Sequence, residues 1–229
     1  MYWDPTYWLV LPAFIFAMIA QLMVKSTFSK YSNTHNTHGY TAYEVARLIL
    51  DKNGLHNIQI ERINGNLTDH YDPSANVIRL SDTVYGSDSV AAIGVAAHEV
   101  GHAIQHAQGY SPIKIRQAII PITQIGSNLA LPLVLVGMLF SAFEWLIPVG
   151  IFLYVAVVLF QAVTLPVEFN ASGRALKTLD EDLILYKDEV RQAKKVLTAA
   201  AMTYVAAMFS SLMTLLRLIL IASGGRRRR

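Results

Sequence analysis

The sequence contains no cysteine, and only 15% of its 229 residues are charged, whereas 53% are hydrophobic. The absence of cysteine excludes disulfides and thiolate metal sites, so any bound metal must be held by His, Asp or Glu. A chain with so little charge is too apolar for an ordinary soluble domain. The composition therefore indicates several membrane spans.

Four stretches lack Asp, Glu, Lys and Arg over a length that could cross a bilayer core of about 30 Å. They are residues 7–24, 118–140, 145–167 and 196–216. The first has neither the basic start nor the cleavage site of a secretory signal, so we interpret it as an uncleaved anchor. The alternative for the apolar stretches is a hairpin buried in a protein core.

The polar segments between these stretches are electrically balanced. Residues 25–117 carry eight basic and eight acidic side chains, and residues 168–195 carry six of each. We therefore expect no nucleic-acid partner. The net positive charge comes from Arg217 and the terminal Arg226–Arg229, and basic residues beside a membrane helix commonly set its topology or contact lipid headgroups. With four spans, both polar segments lie on one side, and their fourteen Lys and Arg predict that this side faces the cytoplasm.

The first polar segment predicts a small α+β unit. Residues 41–50, TAYEVARLIL, have apolar residues at helical spacing behind a threonine N-cap, and the Asn-Gly pair at 53 and 54 ends this helix. Two strands are predicted, at residues 58–63 (IQIERI) and 76–81 (NVIRLS). Apolar and polar residues alternate in the first, and the second follows the turn residues YDPSA. A long helix begins near GSDSV with Ser87 or Asp88 as its cap, and Gly109 ends it.

The long helix contains the run AAHEVGHAIQH at residues 96–106. Residues four apart on a helix lie about 40° apart around its axis, so His98 and His102 direct their imidazoles to one point. Glu99 lies about 100° round from His98, where its carboxylate can take a proton from a metal-bound water. This H-E-x-x-H arrangement is typical of zinc peptidases. The alternative is a helix with incidental polar residues, but burying these side chains without a partner would cost several kcal/mol.

A catalytic zinc site needs a third protein ligand and an open fourth position. Position 108 is Gln108 rather than the histidine of the metzincin pattern, which excludes that class. His106 lies about 12 Å along the helix from His98, so we assign it a supporting or surface role. The other histidines, which have no helical partner, are interpreted as loop residues: His35, His38, His56 and His70.

Glu168, in LPVEFNASGRAL, is the best candidate for the third ligand. It follows Pro166 at the polar end of the third apolar stretch, where we expect an amphipathic helix to begin. The alternative is a glutamate that only stabilises a helix start. Glu144 is expected on the far side of the membrane, whereas several carboxylates stay possible on spacing alone: Glu44, Glu61, Asp69, Asp72, Glu181 and Glu189.

Four runs carry a resemblance to a known family: GNLTDHYDP, VIRLSDTVYGSDSVAAIGVAAHEVGHAIQHAQGYSP, LPVEFNASGRAL and VLTAAAMTYVAAM. Over nearly its whole length the chain resembles the YugP-like bacterial membrane proteins, described as neutral zinc metallopeptidases. The resemblance implies His98, His102 and Glu168 as zinc ligands and Glu99 as the catalytic acid and base.

The chain is also distantly similar to membrane peptidases of the HtpX and Ste24 type, which place an aspartate four residues after the ligand glutamate. That position is Ser172 here, so Asn170 or Arg174 is the alternative contact that supports the histidines.

These observations predict a mostly α integral membrane protein of about four transmembrane helices with a small α+β zincin-like catalytic unit. We expect one catalytic zinc ion, a polypeptide substrate that could be a membrane protein, and a bacterial cell membrane as its location. The alternatives are a zinc-binding membrane scaffold or chaperone-like protein that cleaves nothing, and a zinc hydrolase of non-peptide amides.

The expected division of the chain follows its polarity. It has an anchor at 1–24, a catalytic segment at 25–117, a transmembrane hairpin at 118–167, a helical segment with the third ligand at 168–195, and an apolar helix with a basic tail at 196–229. We further expect the strand at 76–81 to be an edge strand to which an extended substrate adds.

Overall fold

The computed structural model describes residues 6–226, so Arg227–Arg229 of the basic tail lie outside the described residues. The protein is mostly helical with a small sheet, as predicted, and the sheet has three strands where the sequence predicted two. Its elements in chain order are α1 (Tyr7–Tyr31), α2 (Ala42–Lys52), β1 (Gln59–Ile63), β2 (His70–Asp72), β3 (Val77–Ser81), α3 (Val90–Ala107), α4 (Ser111–Leu139), a 3-10 turn (Ser141–Phe143), α5 (Leu146–Glu181) and α6 (Lys187–Arg226).

Helices α1, α4, α5 and α6 are long and apolar enough to cross a membrane, in agreement with the four predicted spans. They contain 25, 29, 36 and 40 residues, whereas a bilayer core needs only about 20. Helices α5 and α6 are therefore each long enough to continue well past a bilayer core.

Helix α5 runs without interruption from its apolar part into the polar part that carries Glu168. The predicted helix start near Glu168 is wrong, because Pro166 lies inside α5. Unpaired backbone groups are costly in apolar surroundings, so a membrane helix continues through a proline instead of ending there. Glu168 consequently lies inside a continuous helix, away from the positive end of a helix dipole.

The chain divides into two compact units, and the first comprises Met1–Ala20, Lys114–Leu165 and Thr203–Arg229. Within it, helices α4 and α5 approach closely at glycines. A Cβ at Gly150 would lie 2.6 Å from the Ala130 carbonyl oxygen, and a Cβ at Gly126 would lie 2.5 Å from the Leu153 carbonyl oxygen. Residue numbers rise along α4 as they fall along α5, so the two helices form an antiparallel hairpin with a small-residue interface.

Helices α1 and α6 form a second antiparallel contact in this unit. The Arg217 Nε donates a hydrogen bond to Thr6 Oγ1 at 3.1 Å, and its guanidinium lies 3.9 Å from the centre of the Tyr7 ring. Further along, the rings of Phe16 and Phe209 meet edge to face at 6.2 Å. The start of α1 thus lies beside the part of α6 that contains Arg217.

The second unit comprises Gln21–Ile113 and Pro166–Met202 and contains the sheet. Its strand order is β1-β3-β2, with β1 parallel and β2 antiparallel to β3. The prediction of β3 as an edge strand is therefore wrong, because both of its edges are already paired. Strand β2 was not predicted, because its three residues are too few for an alternating pattern to be recognised.

Local sequence rules explain α2. Thr41 accepts a hydrogen bond from the Glu44 amide, and the Glu44 carboxylate accepts one from the Thr41 amide, which forms a complete capping box. The helix ends at Lys52, just before the predicted Asn-Gly stop. Its apolar face is buried against the rest of the second unit: Ala42, Val45, Ala46, Ile49 and Leu50.

Helix α3 lies at the centre of the second unit, and most of its side chains are buried. Its cap is Ser89, whose Oγ accepts a hydrogen bond from the Ala92 amide, rather than the predicted Ser87 or Asp88. Ser87 and Asp88 have other partners, since Ser87 Oγ bonds Ser89 and the Asp88 carboxylate pairs with His35. The helix ends at Ala107, and Gly109 adopts the left-handed conformation (φ 65°) after it, as the sequence predicts.

Candidate metal centre

Three potential metal ligands meet inside the second unit: two imidazoles of α3 and one carboxylate of α5. His98 Nε2 and His102 Nε2 are 3.1 Å apart, and they lie 3.3 and 3.5 Å from Glu168 Oε2. A tetrahedral zinc ion with bonds of about 2.0–2.1 Å separates its ligand atoms by about 3.3 Å. The three donor atoms therefore have the identity and the spacing that a zinc ion requires.

The charge and burial of the cluster also fit a cation. The Glu168 side chain is only 3% exposed, and the two imidazoles are 14% and 12% exposed. A buried carboxylate needs a positive or hydrogen-bonding counterpart, and neutral imidazoles that share one point with it provide a site for a divalent ion. Two imidazoles and one carboxylate leave a fourth tetrahedral position free of protein ligands.

The ligands come together because α3 and α5 approach very closely at Gly101, the residue just before His102. A Cβ at Gly101 would lie 2.7 Å from the carbonyl oxygen of Ala171, which is itself fully buried. Only glycine allows the two backbones to come this near. The motif glycine thus places Glu168, three residues before Ala171, within reach of both histidines.

We expect Gly101→Ala to weaken both the fold and the metal site. Overpacking should cost about 1–3 kcal/mol, which exceeds the roughly 1 kcal/mol that alanine gains in helix propensity. The measurements are the thermal unfolding midpoint and the zinc content of the purified protein. Gly173→Ala on α5 is the matched control, because a Cβ there meets nothing within 4 Å and should stabilise the helix. Equal behaviour of the two variants would show that α3 and α5 separate freely.

Each imidazole is held through its second nitrogen. His98 Nδ1 lies 3.1 Å from Ser172 Oγ, and His102 Nδ1 lies 3.0 Å from Gln105 Oε1. Ser172 therefore contacts a histidine directly, although its side chain is smaller than that of an aspartate. Asn170 and Arg174 do not contact the histidines in this network. Asn170 accepts hydrogen bonds from Gln105 and from Arg174, and Arg174 also donates to Gln108.

The protonation of His102 reflects its acidic surroundings. Burial alone lowers the pKa of this imidazole, but the hydrogen bond that it donates to Glu168 and the charges of Glu99 and Glu168 raise the pKa above its ordinary value. The carboxylates therefore favour positive charge at this point, which is the electrostatic requirement of a cation site.

Glu99 lies beside the cluster and is not one of its three members. Its side chain is buried, with 8% of the residue exposed. Asp69, in the loop before β2, is close enough to interact with it. Burial raises the pKa of Asp69, the hydrogen bonds from Ser81 oppose this rise, and the charge of Glu99 adds to it. Sequence reasoning did not single out this proximity, since Asp69 and Glu99 are far apart along the chain.

The other carboxylates that spacing left open as possible third ligands have partners elsewhere in the second unit. Glu144, which was expected far from the histidines, belongs to the first unit. Glu44 caps α2, Glu61 and Asp72 bind Arg79, Asp69 accepts from Ser81, Glu181 pairs with Lys177, and Glu189 accepts from Thr37 and Tyr186. Glu168 is thus the carboxylate that the fold brings to His98 and His102.

The remaining histidines lie outside the cluster. His106 is exposed on α3, and its ring meets that of Tyr71 at 6.0 Å. The others have loop or surface partners: His35 with Asp88, His56 with Asp51, His38 with Tyr186 and His70 with the carbonyl of Thr68. Gln105 is the functional candidate that the sequence analysis missed, and its position three residues after His102 on one helix face was the available signal.

Two comparisons with known proteins extend over almost the whole chain. The family model described as "Putative neutral zinc metallopeptidase" matches residues 6–223. A protein of Bacillus subtilis (strain 168) named "Putative membrane protease YugP" is 48% identical over 207 residues, which cover 90% of this chain and 92% of that protein. No solved structure matches the chain. The matched range includes every residue of the cluster.

Proposed function

Because this chain belongs to the family described as "Putative neutral zinc metallopeptidase", we propose that it is an integral-membrane zinc metalloendopeptidase of the gluzincin type. The observation that carries the proposal is the convergence of His98 Nε2, His102 Nε2 and Glu168 Oε2 within 3.1–3.5 Å of one another. Two histidines and a glutamate are the ligand set of several catalytic zinc sites. The small α+β part with α3 and α5 would form a zincin-like catalytic unit.

His98, His102 and Glu168 would hold one zinc ion, and its chemistry would be to lower the pKa of a bound water to about 7 and to polarise a carbonyl. Glu99 acts as the general base and takes one proton from the water that attacks the peptide carbonyl carbon. It then delivers this proton to the departing amine nitrogen as the carbon–nitrogen bond breaks. The products are a carboxylic acid and an amine, so one water is consumed per bond.

The test is peptide hydrolysis by the purified, detergent-solubilised protein. We expect it to cleave an unfolded polypeptide, to stop when a chelator removes zinc, and to resume when one equivalent of zinc is restored. A zinc-binding scaffold would bind the ion and leave the polypeptide intact. A hydrolase of other amides would cleave a small N-acyl compound and spare the polypeptide, and either result would contradict the proposal.

We propose a bacterial cell membrane as its location, with the site on the cytoplasmic side and a polypeptide at or in the bilayer as substrate. The fourteen Lys and Arg of residues 25–117 and 168–195 support this orientation, since positive residues concentrate in cytoplasmic segments. The antiparallel pairs α4–α5 and α1–α6 support an even number of crossings.

The orientation can be tested with a cysteine at position 74, because the natural chain has none. Ser74 lies in the turn between β2 and β3. In intact cells, a thiol reagent that cannot cross membranes should not label Ser74→Cys, whereas it should after the cells are opened. Labelling in intact cells would place the site on the outer side.

A further inference from the structure

Gln105 occupies an unusual position for an uncharged polar side chain. It is fully buried, yet both of its amide atoms are hydrogen-bonded. Its Oε1 lies 3.0 Å from His102 Nδ1, and its Nε2 donates to the Val167 carbonyl oxygen at 2.8 Å and to Asn170 Oδ1 at 3.0 Å. One side chain of α3 therefore contacts a histidine of the cluster and the two residues that flank Glu168 and Phe169 on α5.

The direction of these hydrogen bonds is determined by the chemistry of the partners. A backbone carbonyl can only accept, so the amide NH₂ of Gln105 must face Val167. Asn170 Oδ1 also receives the Arg174 Nε at 2.7 Å, and a guanidinium can only donate. The NH₂ group of Gln105 is thus directed to α5, and its oxygen is left for His102.

This orientation determines which ring nitrogen of His102 carries the proton. Because Gln105 Oε1 can only accept, His102 must present an N–H at Nδ1, which leaves a lone pair on Nε2 in the neutral ring. Nε2 is the atom that points to Glu168. The same side chain therefore orients the imidazole and keeps its inner nitrogen free for a metal.

We infer that Gln105 is a positioning residue of the metal centre, which selects the Nδ1–H form of His102 and at the same time holds α5 in the register that brings Glu168 to it. The inference rests on the proposed function and deepens it. Partners of this kind on a metal-bound histidine commonly change metal affinity by about 10–100-fold when they are removed. Here the partner is an uncharged amide that also joins the two ligand-bearing helices.

The test compares zinc affinity, measured by competition with a chromogenic chelator, in the full-length protein. Gln105→Met keeps the length of the side chain and removes its hydrogen bonds, so we expect zinc affinity to fall by about 10–100-fold. Gln105→Glu restores an oxygen that accepts from His102 Nδ1 but not the NH₂ group that donates to Val167 and Asn170, so we expect it to recover part of that loss. Gln108→Met is the matched control, because Gln108 is the exposed cap at the C-terminal end of the same helix and bonds Arg174 instead of a ligand.

Wild-type affinity in Gln105→Met would overturn the inference. So would an equal loss in Gln105→Met and Gln105→Glu, since it would show that an acceptor for His102 Nδ1 makes no difference to zinc binding. If Gln105→Met fails to fold, Gln105→Glu decides alone. Affinity within about tenfold of wild type then supports the inference, and any larger loss overturns it. Because zinc binding is measured without substrate, a wild-type protein that binds zinc and cleaves nothing would contradict only the proposed peptidase activity.

Discussion

Replacing Glu99 by glutamine is expected to leave zinc in place and to abolish nearly all turnover. The amide has the size of the carboxylate and cannot accept the proton of the attacking water at neutral pH. General acid–base groups typically contribute 10²–10⁴-fold to rate, so kcat should fall by about this factor. Zinc content should stay at one ion per chain, because Glu99 is not among the converging ligand atoms. Parallel measurements of bound metal and of polypeptide cleavage give both values on the same sample.

Glu181→Gln is a matched control for this experiment. It makes the same chemical change at an exposed glutamate that pairs with Lys177, and it should alter neither zinc content nor rate. Normal turnover in Glu99→Gln would exclude Glu99 as the base. Loss of zinc together with activity would instead assign it a structural role beside the cluster.

The second large effect is expected for the ligands themselves. Alanine at His98, His102 or Glu168 removes one of three donor atoms that lie 3.1–3.5 Å apart, so each variant should lose bound zinc and activity together. For Glu168→Ala, two imidazoles on one helix remain, which is too few protein ligands for a stable catalytic site. Metal analysis after dialysis against a weak chelator gives the measurement.

A second buried glutamate provides the control for Glu168→Ala. Glu189 accepts hydrogen bonds from Thr37 and from the Tyr186 amide, and it lies outside the cluster. Glu189→Ala should cost about 1.5–3 kcal/mol of stability and yet retain zinc, because it removes the charged acceptor of the Thr37 and Tyr186 hydrogen bonds and touches no ligand. If Glu168→Ala kept one zinc and normal cleavage, the third ligand would be another carboxylate, and the gluzincin proposal would fail.

The sequence by itself determined the features that depend on neighbouring residues. Uncharged stretches of sufficient length predicted the four long apolar helices, and Thr41 as an N-cap predicted the start of α2. The convergence of His98 and His102 also follows from spacing, because two residues four apart on a helix share a face whatever surrounds them. These features follow from helix geometry alone.

Only the tertiary structure decided which distant residues meet. The central place of β3, the uninterrupted course of α5 and the contacts of Ser172 and Gln105 all depend on pairings between segments far apart in the chain. A strand pattern indicates which face is buried but not which edge is paired, and a proline indicates a break only where water can satisfy the freed backbone groups. Glu168 reaches the histidines because Gly101 lets α3 and α5 touch. That close approach is a property of two packed helices, which the local pattern of either helix does not contain.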